Sequence, residues 1–199
     1  MTRLETALRL AAEGLREARL RWAVVGGLAV SARAEPRTTR DVDLAVAVDG
    51  DTQAEAALYR LQNHGFAVVS VVEQAALHRL ATARLRSSDQ RIRGILVDIL
   101  FASSGIESEL VERAEEIEIV PGLSVPVARI GHLLALKALA RNDRDRPQDL
   151  DDIRALLREA TIDDVDEARG AVRLIEERGF SRGRRLSEEF EALVAKKAT

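Results

Sequence analysis

Apolar residues over the first part of the chain recur at helical spacing. Leu4, Ala7, Leu8, Ala11, Ala12, Leu15 and Ala18 fall on one face, so an amphipathic helix is expected over 3–19. Trp22-Ala-Val-Val25 breaks that rhythm as a short apolar run and reads as a first strand, halted by Gly26-Gly27. A short helix should begin at the glycines and run over 28–34. Glu35 to Thr39 then form a loop, because Pro36 disfavours helix in the residue before it. A second strand is expected over 42–48, then a turn at Asp49-Gly50-Asp51 that caps a helix over 52–63. Three further strands follow: 66–72, a weaker alternating one over 82–86, and the strongest of the chain over 94–101. Ser103-Ser104-Gly105 reads as the start of a helix reaching about Glu115, and Pro121-Gly122 as the turn of a hairpin between 117–120 and 123–127.

From Arg129 the strand patterns cease. Only helical periodicity remains, over 129–141, 147–159, 163–178 and 184–197. The expected class is therefore α+β: a mixed sheet with flanking helices over 1–128, followed by a C-terminal helical subdomain over 129–199. No repeat or low-complexity tract interrupts this order, and the tail 195–199 is expected to fray.

Composition narrows the chemistry. Apolar residues make up 46% of the 199, enough for a substantial core, and charged residues 32%. The net charge of −3 supplies no global basic field of the kind a general nucleic-acid binder needs. Of the 30 positive residues 27 are arginine, the side chain suited to bidentate contacts with phosphate and carboxylate. The absence of cysteine excludes disulfides and thiolate zinc sites. The first residues do not form a signal peptide, and no apolar run approaches a membrane span, so a cytoplasmic protein without membrane association is expected.

Three carboxylates stand out against this background. Asp41 and Asp43 lie in an apolar strand two residues apart, so both point to one face; Asp98 lies inside Gly94-Ile-Leu-Val-Asp-Ile-Leu-Phe101. Ionised side chains in such strands are expensive unless a cation or partner offsets them. Hard oxygen donors select Mg2+ or Mn2+ over zinc, and three such acids suit the metal-dependent phosphoryl chemistry of two-ion sites. Gly26-Gly27 lets backbone approach a phosphate, and the following helix aims free N–H groups at the same anion. Ser31 is a candidate phosphate-binding hydroxyl, and Arg37 and Arg40 flank the acidic pair. His64, His78 and His132 lack metal-ligand spacing to one another and read as structural or exposed; Asp49, Asp51, Asp143 and Asp145 read as solvated.

Gly26-Gly27, thirteen intervening residues and then Asp41-Val-Asp43-Leu44 resembles the signature of the DNA polymerase β-type nucleotidyltransferase superfamily, with Asp98 matching its third acid. Thr38-Thr-Arg-Asp-Val-Asp-Leu44 resembles the AbiEii-type toxin branch. So does Leu133-Leu-Ala-Leu-Lys-Ala-Leu-Ala-Arg141 followed by Arg146-Pro-Gln-Asp-Leu-Asp-Asp-Ile-Arg-Ala-Leu156. Two departures are Gln148, where the branch often has lysine, and Gly27, where serine is common in the wider superfamily.

The resemblance implies a nucleotidyltransferase-type fold and transfer of an NMP moiety from an NTP to a hydroxyl acceptor. Asp41, Asp43 and Asp98 would be the metal-binding and catalytic acids. Gly26, Gly27, Ser31 and Lys137 would bind the nucleotide. Asp149 would be a further catalytic or positioning acid and Asp152 its second. It also implies a tRNA 3′ end or a protein as acceptor, and a toxin of a toxin–antitoxin or phage-defence system with a cognate antitoxin as partner. The alternatives are an antitoxin-like protein that adds AMP to a partner, and a catalytically silent nucleotide-binding protein.

Overall fold

The computed structural model describes residues 2–74, 79–142 and 148–196. Its centre is a seven-stranded mixed sheet. In chain order the strands are β1 (Trp22–Val25), β2 (Asp41–Val46), β3 (Phe66–Gln74), β4 (Arg79–Ser87), β5 (Leu96–Leu100), β6 (Glu115–Val120) and β7 (Leu123–Val127), and they lie side by side as β3-β4-β5-β2-β1-β7-β6. The β2–β5 and β1–β7 pairs are parallel and the others antiparallel. The helices are α1 (Arg3–Glu17), α2 (Gly26–Arg33), α3 (Asp51–Asn63), α4 (Glu107–Glu112), α5 (Ile130–Ala140), α6 (Gln148–Glu159), α7 (Ile162–Glu177) and α8 (Leu186–Ala195).

The alternation along the three central strands divides their residues between two faces. Val42, Leu44, Ala83, Leu85, Val97 and Ile99 are fully buried. Asp41, Asp43, Thr82, Arg84 and Asp98 take the intervening positions, and all five line one cavity. Helix α5 is apolar on nearly every side, the mark of a helix enclosed by others; Leu133, Leu134, Ala135, Ala138 and Leu139 are buried in it. It packs against α2, α6, α7 and α8. Buried residues of β1, α2, α5, α6 and α7 belong to one continuous apolar cluster.

Two expected elements differ from those observed. The helix expected from Ser103 to about Glu115 contracts to α4. The Glu107 carboxylate accepts the backbone N–H groups of Ser103, Ser104 and Gly105 at 2.8, 2.8 and 3.0 Å, and Gly105 sits at φ 77°, so this stretch is a capped turn. Glu115 already pairs with Val127 across the hairpin. The weak strand expected over 82–86 is the nine-residue β4, sustained by antiparallel partners on both sides. Its propensity is poor, and its pairing decides the outcome.

Candidate active site

The site begins where β1 ends. Gly26 opens α2 with φ 63°, in the left-handed region that favours glycine, and a Cβ there would fall 1.9 Å from Asp43 Oδ2. A Cβ on Gly27 would fall 2.5 Å from Arg37 Nη2 and 2.8 Å from Thr39 Oγ1. The Gly27 N–H donates to the Asp43 carboxylate. The two glycines thus let an acid and an arginine-bearing loop press against the first turn of a helix.

Strand register then builds a charged row. Arg84 on β4 stands opposite Asp98 on β5, Asp98 opposite Asp43 on β2, and Asp43 opposite Val25 on β1. Asp41 lies two residues before Asp43 on the same side, opposite Leu96. Arg84 grips Asp98 with both ends of its fork, Nε to Oδ1 at 2.8 Å and Nη2 to Oδ2 at 2.7 Å. That grip raises the Arg84 guanidinium well above its ordinary range. Asp43 is pushed up to about 6, first by burial and then by the negative charge of Asp98 and Asp41; Lys137 and the Gly27 N–H oppose the shift.

A second charged group sits between α5 and α6. Lys137 Nζ lies 2.9 Å from Asp149 Oδ1 and 2.8 Å from Asp152 Oδ2, and Arg37 Nε lies 2.9 Å from Asp152 Oδ1. Lys137, Asp149 and Asp152 are all buried. Lys137 is therefore no surface lysine, and the two acids are not solvated helix-end residues. Ion pairing across the helices compensates their burial.

A cavity of about 710 Å3 brings Gly26, Gly27, Asp41, Asp43, Asp98 and Lys137 together, with Arg37, Arg40, Arg84, Gln148 and Arg182 on its walls. Asp149 and Asp152 stand behind Lys137, outside the lining. Ser31 is not brought to this cavity. Its hydroxyl lies 3.0 Å from Gly27 O and 3.3 Å from Arg37 O and accepts the Arg37 N–H at 3.2 Å, fastening the loop to α2. Arg84 and Arg182 escaped the sequence reading. The alternation Thr82, Arg84, Arg86 was a signal for the first; nothing in the pattern singled out the second.

The remaining candidates lie elsewhere. His132 is buried beside Glu167, Nδ1 to Oε2 3.7 Å, in a separate cavity of about 470 Å3, and burial lowers its imidazole pKa. His64 meets Glu17 at 3.0 Å. His78, Asp143, Asp145 and Arg146 lie outside the described residues.

The carboxylates fit a hard divalent cation in kind, and strand register sets Asp43 opposite Asp98 with Asp41 two residues before it. Burial first, and then the negative charge of Asp98, raises the pKa of Asp43, so its ionised form is poorly stabilised by the protein alone. Among the described residues, however, no three acids or histidines are gathered closely enough to hold an ion. Each oxygen of Asp98 already accepts one hydrogen bond from Arg84, so a cation there would share the carboxylate with that pair.

Residues 9–198 match the family described as nucleotidyl transferase AbiEii toxin, type IV TA system. The chain belongs to the AbiEii nucleotidyltransferase family. It is an enzyme of that class, with the nucleotidyltransferase-type α+β fold, a mixed sheet flanked by helices and followed by C-terminal helices. No curated protein sequence matches this AbiEii-family chain. Among solved structures it is similar to ANT(2'')-Ia in complex with adenylyl-2''-tobramycin, at 17% identity over 97% of this chain and 95% of that one, TM-score 0.52. It is also similar to the lincosamide antibiotic adenylyltransferase LnuA, lincomycin-bound, at 13% identity over 78% of this chain and 98% of that one, TM-score 0.50. At such identities the likeness is one of fold. No helix of the described residues is long and apolar enough to cross a membrane.

Proposed function

We propose that this AbiEii-family enzyme transfers the NMP moiety of an NTP to a hydroxyl acceptor and releases pyrophosphate, as the toxin of a toxin–antitoxin or phage-defence system restrained by a cognate antitoxin. The observation that carries the reading is the register that sets Asp43 opposite Asp98, with Asp41 beside it, on the wall of a cavity that also holds the glycine turn. Asp41 and Asp43 would hold Mg2+ or Mn2+, joined by Asp98, whose carboxylate the cation would share with Arg84. A bound divalent cation would supply charge neutralisation at the phosphates and acidify the attacking hydroxyl.

The protein's own groups do the positioning. Gly26 and Gly27 admit the triphosphate to the start of α2, a helix whose N-cap residue Val25 supplies no side-chain cap. Lys137 contributes a cation whose position Asp149 and Asp152 fix from behind, so these two acids act by positioning and do not meet substrate. The Asp98 carboxylate accepts the acceptor's hydroxyl proton. The acceptor oxygen then bonds to the α-phosphorus, and the bond from that phosphorus to the oxygen bridging to the β-phosphate breaks. Ser31 serves by holding the 35–39 loop in place. A tRNA 3′ end or a protein side chain is the acceptor class the family suggests, and a cytoplasmic setting follows from such acceptors.

The test is transfer of label from α-32P-NTPs, each offered in turn with total tRNA or with cell protein and Mg2+. Transfer is expected with the native chain and absent from the D41A/D43A double variant. Undiminished transfer by the double variant would sink the assignment.

A further inference from the structure

The cations on the cavity wall are not equally available to a polyanion. Five line it: Arg37, Arg40, Arg84, Lys137 and Arg182. Lys137 and Arg37 are balanced by Asp149 and Asp152, and Arg84 by Asp98. Arg40 and Arg182 make no hydrogen bond or ion pair among the described residues and are exposed. Arg40 adjoins Asp41 in the chain. Arg182 comes from the turn between α7 and α8.

Its backbone is held in a costly conformation. Arg182 has φ 58°, one of two non-glycine residues in the left-handed region among the described residues, and it precedes Gly183 at φ 73°. A side chain there strains the backbone by an amount that persists only where the surroundings over-determine it. Here they do, on both sides. Phe180 packs so closely on Gly105 that a Cβ there would lie 2.6 Å from its ring, next to Ser103 and Ser104 of the cavity wall. Arg184 donates to Leu139 O at 2.9 Å and Arg141 O at 3.4 Å, at the C-terminal end of the helix that carries Lys137, and is clamped to Glu189. Neither anchor involves Arg182 itself. The turn is stapled on either side of a strained, unpaired arginine and presents it at the cavity rim.

We propose that Arg182 is a triphosphate-binding residue of this enzyme, an inference that rests on the nucleotidyl-transfer reading and adds to it a phosphate ligand from the α7–α8 turn. Its guanidinium donates to the β- and γ-phosphates, in the cavity that Gly26 and Gly27 also line. The α-phosphate stays with the acids of the sheet.

The left-handed backbone makes the test discriminating, because glycine removes the side chain and the strain together. Binding of ATP, CTP, GTP and UTP, and of the matching NMPs by competition, is measured calorimetrically with Mg2+ for the native chain and for Arg182→Gly, Arg182→Ala and Arg182→Lys. Arg182→Gly is expected to melt at or above the native temperature, to bind the preferred NTP about tenfold more weakly and to bind the NMP unchanged. Arg182→Lys should recover part of the loss, and Arg182→Ala should combine weak NTP binding with a lower melting temperature. Native NTP affinity in Arg182→Gly, or equal losses for NTP and NMP, overturns the inference while leaving nucleotidyl transfer standing. If the native chain binds no NTP, the underlying reading fails with it.

Discussion

Two charged groups meet at this site, and they are built on opposite terms. Behind the cavity, Lys137 and Arg37 face Asp149 and Asp152, two cations to two acids, with separations of 2.8–2.9 Å. On the sheet, among the described residues, Arg84 pairs with Asp98, and neither Asp41 nor Asp43 has an ion pair of its own. The first group is electrically complete within the protein. The second has three acids close together, and Asp43 is pushed up to about 6, first by burial and then by the charge of Asp98. A complete cluster fixes geometry; an incomplete one has capacity for a ligand. The enzyme places the two in contact, with Lys137 close enough to Asp43 to oppose its shift.

The sharpest way to break this contrast is to remove the cation of the complete cluster. Lys137→Met removes the ammonium that meets both Asp149 and Asp152 and leaves the two acids buried. Stripping one partner from a buried pair typically costs about 3–5 kcal/mol, so this variant should show the largest destabilisation of the set. Urea unfolding at pH 7.5 checks it. A loss below about 1 kcal/mol, the scale of an exposed pair, would show that the cluster is not the closed unit described.

The incomplete cluster should respond in the opposite direction. Asp43 has a folded-state pKa near 6 against an unfolded value of 3.8. Between those values the folded protein binds the proton and the unfolded chain does not, so stability falls as pH rises through this window. Above pH 6 the ionised group costs on the order of 2–3 kcal/mol. Asp43→Asn should therefore raise stability by roughly 2 kcal/mol at pH 8, and the gain should vanish by about pH 4. Mg2+ should stabilise the native chain at pH 8 and have little effect on Asp43→Asn. Unfolding curves at the two pH values, with and without Mg2+, decide it; a variant less stable than the native chain at pH 8 contradicts the account.

Much of this contrast was legible before any coordinates. Asp41 and Asp43 announce a shared face because strand side chains alternate, and Asp98 stands out because its neighbours Val97 and Ile99 are strongly apolar. The helical half was readable from Arg129 onward because its apolar period is regular. Partnership was harder to read. That Arg84 faces Asp98 depends on the register between β4 and β5, and cross-strand register leaves little trace in either strand's own pattern. Lys137 and the Asp149/Asp152 pair could be assigned to helices, yet their mutual burial follows from how α5 and α6 pack. The stretch after Ser103 was misread as helix because Glu107 caps a turn from inside, using a side chain that also suits a helix. Ser31 kept its place on α2, but its hydroxyl is spent on the neighbouring loop.

The smallest effect tests how Arg84 holds the third acid of the sheet. Arg84 is 47% exposed at its side chain and Asp98 13%, so their pair lies toward the surface and is worth about 0.5–1 kcal/mol. Arg84→Ala should lower stability by no more than that. It should also expose both Asp98 oxygens to a cation, so Mn2+ should bind the nucleotide-free variant about threefold more tightly than the native chain. Arg84→Ala combined with Asp98→Asn should lose this gain, because the freed donor is gone. Titration of free Mn2+ by electron paramagnetic resonance measures all three proteins directly. Equal Mn2+ affinity in the native chain and Arg84→Ala would mean that Arg84 does not compete with the cation for Asp98, and that Asp41 and Asp43 alone set the affinity.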